Sequence, residues 1–212
     1  MTTERPATCG LILAGGLARR MGGGDKALVG IGGQSIMERA LARLTPQCAG
    51  IVINANGDPA RFSRFGHAVV GDDVAGFAGP LAGILAGLDF VARQAPAVVW
   101  IASVPGDCPF LPRDLVVRLH AARTAQRAPL ACAGSGEWRH PVIGLWPAAL
   151  RDDLRRAVVA ESLRKIEMWT ARHGVALADW QPEPVDPFFN VNTPEDAAQA
   201  QHFAALEDSL IA

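Results

Sequence analysis

Lysine is nearly missing from this chain of 212 residues: of its 20 basic residues only Lys26 and Lys165 are lysines, and the rest are arginines. Excess charge is missing as well. A formal net charge of −1 leaves no broad basic field, which argues against sequence-independent nucleic-acid binding and confines any cationic site to a local cluster. No uninterrupted apolar stretch approaches the roughly 18 residues that a membrane helix requires. The N-terminal region lacks the marks of an export signal. Glu4 is among its first charges, its apolar run is short, and Arg19-Arg20 follow that run, whereas a twin-arginine motif would precede it. The cysteines are few, at 9, 48, 108 and 132, and none forms a C-x-x-C pair, so they read as thiols in a reducing compartment rather than as a zinc site or a disulfide frame. The five histidines show no metal spacing. A cytoplasmic protein is expected, with no nucleic acid and no membrane among its partners. Repeats, low-complexity tracts and linkers are absent, and half of the residues are hydrophobic, so one domain with a full core is expected over 1–212.

What is present alternates between strand and helix. Short apolar runs at 11–13, 51–53, 68–70 and 97–102 predict buried strands, the last of the kind that parallel sheets cover on both faces. Ser35 followed by Glu38 is a capping-box pattern, opening a helix that Thr45-Pro46 ends. Asp58-Pro59 begins a short helix. Pro80 is a plausible first helical residue, with Leu81, Ile84, Leu85 and Leu88 on one apolar face. Helices are predicted over 112–126, 148–159 and 161–173, and strands over 130–133, 142–146 and 175–177. Thr193, Pro194 and Asp196 cap a last helix running to about 206. This order predicts a three-layer α/β domain with a mainly parallel sheet.

The most informative stretch is 11–27. Gly15-Gly16 stop the first strand, and Arg19-Arg20, the run Gly22-Gly23-Gly24 and Lys26 follow. Glycines bring backbone N–H groups close to a ligand, and with fixed cations around them they make a seat for a polyphosphate. Neither G-x-x-x-x-G-K-[ST] nor G-x-G-x-x-G fits, so a plain connection is the competing reading. Lys26 weighs against it: in so arginine-biased a background, a lysine points to a compact point charge rather than a planar fork.

Ligands of open α/β sheets bind beyond the carboxyl ends of the strands. There the glycine loop follows the first strand, Asn54 the second, Asp72 the third and Asp107 the fourth. Asp107, held between Pro105-Gly106 and Cys108-Pro109, has a constrained backbone; beside phosphates its carboxylate requires a cation between them, and magnesium takes one or two carboxylates plus phosphate oxygens. A turn or capping role is the alternative for Asp107, Asp72 and Asn54. Asn190 and Asn192 flank Val191 on an extended segment and share one face; fixing the turn before the last helix is their alternative. For His140 it is an imidazole partnering backbone.

Taken together, Leu13-Ala14-Gly15-Gly16, Arg19-Arg20-Met21-Gly22, Asp25-Lys26-Ala27, Gly71-Asp72, Gly79-Pro80-Leu81-Ala82-Gly83, Pro105-Gly106-Asp107-Cys108-Pro109 and Asn190-Val191-Asn192-Thr193-Pro194 resemble the nucleotidyltransferases that build the molybdenum cofactor dinucleotides, in their guanylyl-transferring form. The resemblance implies a Rossmann-like nucleotidyltransferase fold that moves GMP from GTP to molybdopterin with Mg2+. Lys26, Arg20 (Arg19 as alternate) and Asp107 would be catalytic, with Asp107 the metal ligand. Leu13, Ala14, Gly15, Gly16, Gly22, Asn54, Asp72 and Gly79 would bind the nucleotide, and His140, Asn190 and Asn192 would border the molybdopterin. A nucleotide-binding half of about 1–112 and an acceptor-binding half of about 113–212 follow. Implied partners are GTP and the molybdenum cofactor, then other cofactor-biosynthesis proteins and recipient molybdoenzymes. Ala18 stands where the family often has serine, and 148–185 carries no recognisable pattern. A cytidylyltransferase using CTP, a sugar-phosphate nucleotidyltransferase and a non-catalytic cofactor-delivery adapter stay open as alternatives.

Overall fold

The first buried strand lies near the middle of a seven-stranded sheet. In the computed structural model, which describes residues 6–15, 25–74 and 79–211, β1 spans Thr8–Leu13 and pairs in parallel with β4 (Gly50–Asn54) on one side and β6 (Trp100–Pro105) on the other. With β5 (Ala68–Val70), β7 (Leu130–Ser135), β8 (Trp138–Pro147) and β9 (Val175–Trp180) the order is β5-β4-β1-β6-β8-β7-β9, and only β8 runs antiparallel to its neighbours. The expected mainly parallel sheet is the one observed. A two-stranded hairpin, β2 (Gly30–Ile31) with β3 (Gln34–Ser35), stands apart from it.

Helices cover both faces. One core layer joins Ile12, Ile53 and Val104 to α1 (Ile36–Leu44) and α3 (Leu115–Ala125). The other joins Leu11, Val52 and Ile101 to α2 (Pro80–Gln94), α4 (Arg151–Val159) and α5 (Ile166–Thr170). The Ser35 capping box forms as read from the sequence: Glu38 N–H donates to Ser35 Oγ at 3.2 Å and Ser35 N–H donates to Glu38 Oε2 at 2.6 Å. On α2 the apolar face is fully buried, and two glycines let the helix lie close to the sheet. A β-carbon on Gly83 would stand 2.6 Å from Leu13, and one on Gly87 2.8 Å from Leu11. The last helix, α6 (Pro194–Ile211), is capped reciprocally by Thr193 and Asp196. Near its C-terminal end, Glu207 accepts from Arg39 and Arg43 of α1, and Arg43 also donates to the carbonyl of Leu111 at 3.1 Å.

Three sequence expectations shift. The fourth strand is Trp100–Pro105 rather than 97–102, because the polar Ser103 lies inside it. Its buried hydroxyl donates to Val142 O at 2.5 Å and accepts from Trp146 Nε1 at 2.7 Å. The helix expected over 161–173 is the single short α5, since Ser162 takes a left-handed backbone with φ of 54°, residues 162–165 are irregular and a turn follows at 171–173. The strands expected at 130–133 and 142–146 are longer and join as a hairpin through Gly136, whose φ is 57°. Among the described residues, no helix is long and apolar enough to cross a membrane, and no three or more His, Cys, Asp or Glu cluster as a ready-made metal cage.

Candidate active site

The carboxyl ends of β5, β4, β1 and β6 meet in one rim, and backbone bonds hold it. Ala14 N–H donates to Asn54 O at 2.8 Å, Ala55 N–H to Val70 O at 2.9 Å, and Gly106 N–H to Leu13 O at 2.9 Å. Glycine at 106 suits that approach, because a β-carbon there would stand 3.2 Å from Ala14 Cα, tighter than most such contacts. At Gly15, which lines one of the cavities described below, a β-carbon would meet nothing within 4 Å among the described residues.

Lys26 opens a short 3₁₀ turn, Lys26–Leu28, and Asp107 follows β6. The two residues, 81 apart in sequence, form an ion pair of 3.0 Å between Nζ and Oδ2, and Lys26 also donates to Asn192 Oδ1. The second carboxylate oxygen, Asp107 Oδ1, is buried and has no hydrogen-bond partner among the described residues. A buried charged oxygen left in this way is costly unless something electropositive completes it. Leu13, Ala14, Lys26, Ala27, Pro105, Gly106 and Asp107 line a small cavity at this point.

Two larger cavities open on either side. One, of about 360 Å³, is lined by Leu13, Gly15, Asn54, Asn56, Asp72, Gly79, Pro80, Pro105 and Val142. The other, of about 330 Å³, is lined by Asp107, Arg139, His140, Asn190 and Asn192 together with Pro105 and residues 141–143. Each has the volume of a site for a small organic ligand. The sequence-predicted residues within the described chain therefore converge on one cleft: Leu13, Gly15, Asn54, Asp72 and Gly79 on the first side, Lys26, Asp107 and Ala14 at the centre, His140, Asn190 and Asn192 on the other. Gly16, Arg19, Arg20 and Gly22 lie outside the described residues.

Some of these side chains have duties that the sequence did not reveal. Asn54 is buried, and its amide nitrogen is spent on Val70 O at 3.2 Å and Asp72 Oδ1 at 2.9 Å, so it aims Asp72. Asn56 holds the other oxygen of Asp72 at 2.8 Å and accepts from Asp72 N–H at 2.8 Å. Gly79, with φ of 70°, precedes Pro80 and lets the chain enter α2. On the other side, the buried Cys108 thiol donates to Asn190 Oδ1 at 2.9 Å; burial pushes its pKa well above the ordinary thiol value, so it stays protonated. With the two asparagine oxygens accepting from Cys108 and Lys26, neither amide NH2 group has a partner among the described residues, and both residues line the cavity. Val191 N–H donates to Asp107 O at 3.0 Å, fixing the asparagine segment to the aspartate loop. His140 Nε2 bonds the Ser135 hydroxyl at 2.9 Å and its ring lies 4.8 Å from Phe188. Burial lowers its pKa below 6.5, against a weaker opposing pull from Asp186, so the imidazole is neutral at neutral pH.

Asn56 has no place among the sequence-predicted site residues, yet the Asn-x-Asn spacing of 54/56 recurs at 190/192 and is a signal that could have found it. Arg61 was not singled out at all. Its guanidinium pairs with Asp25 at 2.5 Å, immediately before Lys26, and donates to Asn56 O at 2.5 Å and Asp58 O at 3.0 Å. One side chain thus ties the lysine turn to the loop that holds Asp72.

A glycine-edged rim with a lysine–aspartate centre between two ligand-sized cavities is chemistry for a nucleotide and a second substrate, and the comparisons agree. The profile of the MobA-like NTP transferase domain matches residues 10–175. A molybdenum cofactor guanylyltransferase of Nitrobacter hamburgensis is 59% identical over 207 residues, covering 98% of this chain and 99% of its own. Another, from Rhodopseudomonas palustris, is 56% identical over 206 residues, covering 97% and 98%. Among solved structures, molybdopterin-guanine dinucleotide biosynthesis protein A of Archaeoglobus fulgidus superposes with a TM-score of 0.73 over 93% of this chain and 99% of that one; at 21% identity it speaks for the fold. With the profile spanning most of the chain and full-length relatives at such identity, this chain belongs to the MobA-like NTP transferase family and is a nucleotidyltransferase enzyme.

Proposed function

We propose that the enzyme transfers GMP from GTP to the terminal phosphate of molybdopterin, forming the guanine dinucleotide cofactor and releasing pyrophosphate. An oxygen of the acceptor phosphate forms the new bond to the α-phosphorus of GTP, and the bond to the β-phosphate bridging oxygen breaks with its electron pair leaving on pyrophosphate. The acceptor phosphate is ionised at neutral pH, so no general base is needed, and a neutral His140 is compatible with that. What the reaction needs is the alignment of two anions and the screening of their charge.

The observation that carries this reading is the division of Asp107. One oxygen takes Lys26 at 3.0 Å, and the other is buried without a partner among the described residues. A lone carboxylate that shares its site with substrate phosphates fits a hard divalent cation, Mg2+ in this reading, which Asp107 would hold. Such an ion would supply charge neutralisation between triphosphate and carboxylate. Lys26, with Arg20 and Arg19 of the glycine loop, neutralises the triphosphate, while Gly15, Gly16 and Gly22 present N–H groups to it. Leu13, Ala14, Asp72 and Gly79 border the guanosine, with Asn54 acting through Asp72. Asn190, Asn192 and His140 border the pterin. The residues up to about 112 serve the nucleotide and those from about 113 the acceptor. The reading places the enzyme in the cytoplasm, handing its product to recipient molybdoenzymes and meeting other cofactor-biosynthesis proteins there.

An assay with molybdopterin, Mg2+ and each nucleotide in turn tests this. Pyrophosphate release and dinucleotide formation are expected with GTP and not with CTP. Turnover with CTP equal to or above that with GTP would overturn the guanine assignment, and nucleotide binding without metal-dependent turnover would make the chain an adapter.

A further inference from the structure

The acceptor must bring a phosphate monoester, doubly charged or nearly so, against a triphosphate. Lys26 and the Asp107 site serve the triphosphate, which leaves open what compensates the second anion. The acceptor-side cavity answers by elimination. His140 is held neutral by burial, Asn190 and Asn192 are uncharged, and Asp107 is an anion. Arg139 is the one cation among the described residues lining that cavity.

Arg139 is also unspent. Arg39, Arg43, Arg61, Arg151, Arg155 and Arg172 each meet a carboxylate, whereas Arg139 has no ion pair or hydrogen bond among the described residues. Its place on β8 keeps it so. It pairs in register with Gly134 of β7, which offers no side chain, and Asp179 of β9 leans over Gly134 without coming within ion-pair distance of the guanidinium. Arg139 is exposed, immediately precedes His140, and borders a second, mainly apolar cavity with Pro141 and Ile166. A guanidinium presents paired N–H donors that match two phosphate oxygens, and it cannot lose its charge at working pH.

We propose that Arg139 binds the phosphate of the acceptor and holds it beside Asp107 for attack, an inference that rests on the guanylyl-transfer reading. The asparagine N–H groups at 190 and 192 would complete the same anion site.

The test uses the full chain with Mg2+, GTP and molybdopterin. Arg139→Gln is expected to raise the KM for molybdopterin on the order of tenfold and leave the KM for GTP unchanged, as befits loss of a charged hydrogen bond to one substrate only. Arg139→Lys should recover part of the loss. Inorganic phosphate should compete with molybdopterin in the unsubstituted enzyme and lose most of that effect in Arg139→Gln. An acceptor KM changed less than twofold, or a rise confined to the KM for GTP, would overturn the assignment. Equilibrium binding of inorganic phosphate, measured without turnover, separates the two possible failures. If the unsubstituted enzyme does not use molybdopterin, the functional reading falls; if phosphate binds equally to the enzyme and to Arg139→Gln, the role of Arg139 falls.

Discussion

Asp107 divides its two carboxylate oxygens between an ion pair and a buried position: Oδ2 neutralises Lys26, and Oδ1 is free of any partner among the described residues. Asp107→Asn keeps the size and removes the charge. Guanylyl transfer is expected to fall about 10²–10³-fold, the scale of losing one transition-state stabilising group, and the Mg2+ concentration for half-maximal rate to rise. Titration of Mg2+ at saturating GTP checks this, and an unchanged half-saturation would remove the metal role. The position of Asp107 at the end of β6 was legible in the sequence because Pro105-Gly106 and Cys108-Pro109 confine it locally. The roles of Asn54 and Cys108 were not, since each is defined by a partner distant in sequence: Asp72 for one, Asn190 for the other. A linear reading can find a group with chemistry; it cannot see which of its atoms are already taken.

Elements place these residues, and the connections between elements tie the placements together. Arg61, from the short 3₁₀ helix Pro59–Phe65, spans the lysine turn and the Asp72 loop through Asp25 and Asn56. Arg61→Lys keeps the charge and loses the fork, so it should raise the KM for GTP several-fold, with a cost on the order of 1–2 kcal/mol. Asp25→Asn should do the same, and the double variant should be little worse than either. Full additivity in steady-state kinetics would show that the two act separately. At the other side of the cleft, α6 is held at its start by Thr193 and Asp196 and near its end by its Glu207, which accepts from Arg43 of α1. It thereby anchors the asparagines that precede it. Caps and apolar faces were legible because they depend on residues within one or two turns. The boundary of β6 and the brevity of α5 were not, because Ser103 is satisfied by β8 and the turn at Ser162 has no local proline or glycine to announce it.

At the scale of the whole molecule, the parallel strands β5, β4, β1 and β6 make the cleft, since their carboxyl ends open on the same edge. Alternation of strand and helix was enough to anticipate this, whereas the antiparallel β8 was not distinguishable from its neighbours by periodicity. The same packing sets a pH limit on stability. His120 of α3 is buried against Thr8 at 2.9 Å and Trp100, and desolvation, aided by the charge of Arg123, lowers its pKa to about 4. Below the ordinary value near 6.5 the unfolded chain takes up a proton that the folded one resists, so stability is complete above that pH and is lost as pH falls towards 4. The loss attributable to this residue is on the order of 2–3 kcal/mol. Denaturation midpoints at pH 7.5 and 4.5 measure it, and His120→Gln should reduce the difference between them; an equal drop in both proteins would place the sensitivity elsewhere.

A double-mutant cycle on guanylyl transfer, with Lys26→Ala, Asp107→Asn and the pair together, tests most directly whether one lysine and one aspartate serve the same triphosphate. Each single variant is expected to lose about 10²–10³-fold in kcat, and the pair to be little slower than the worse of the two, because the groups act as a unit. Losses that multiply in full would mean that Lys26 and Asp107 act independently, and the shared centre would be wrong.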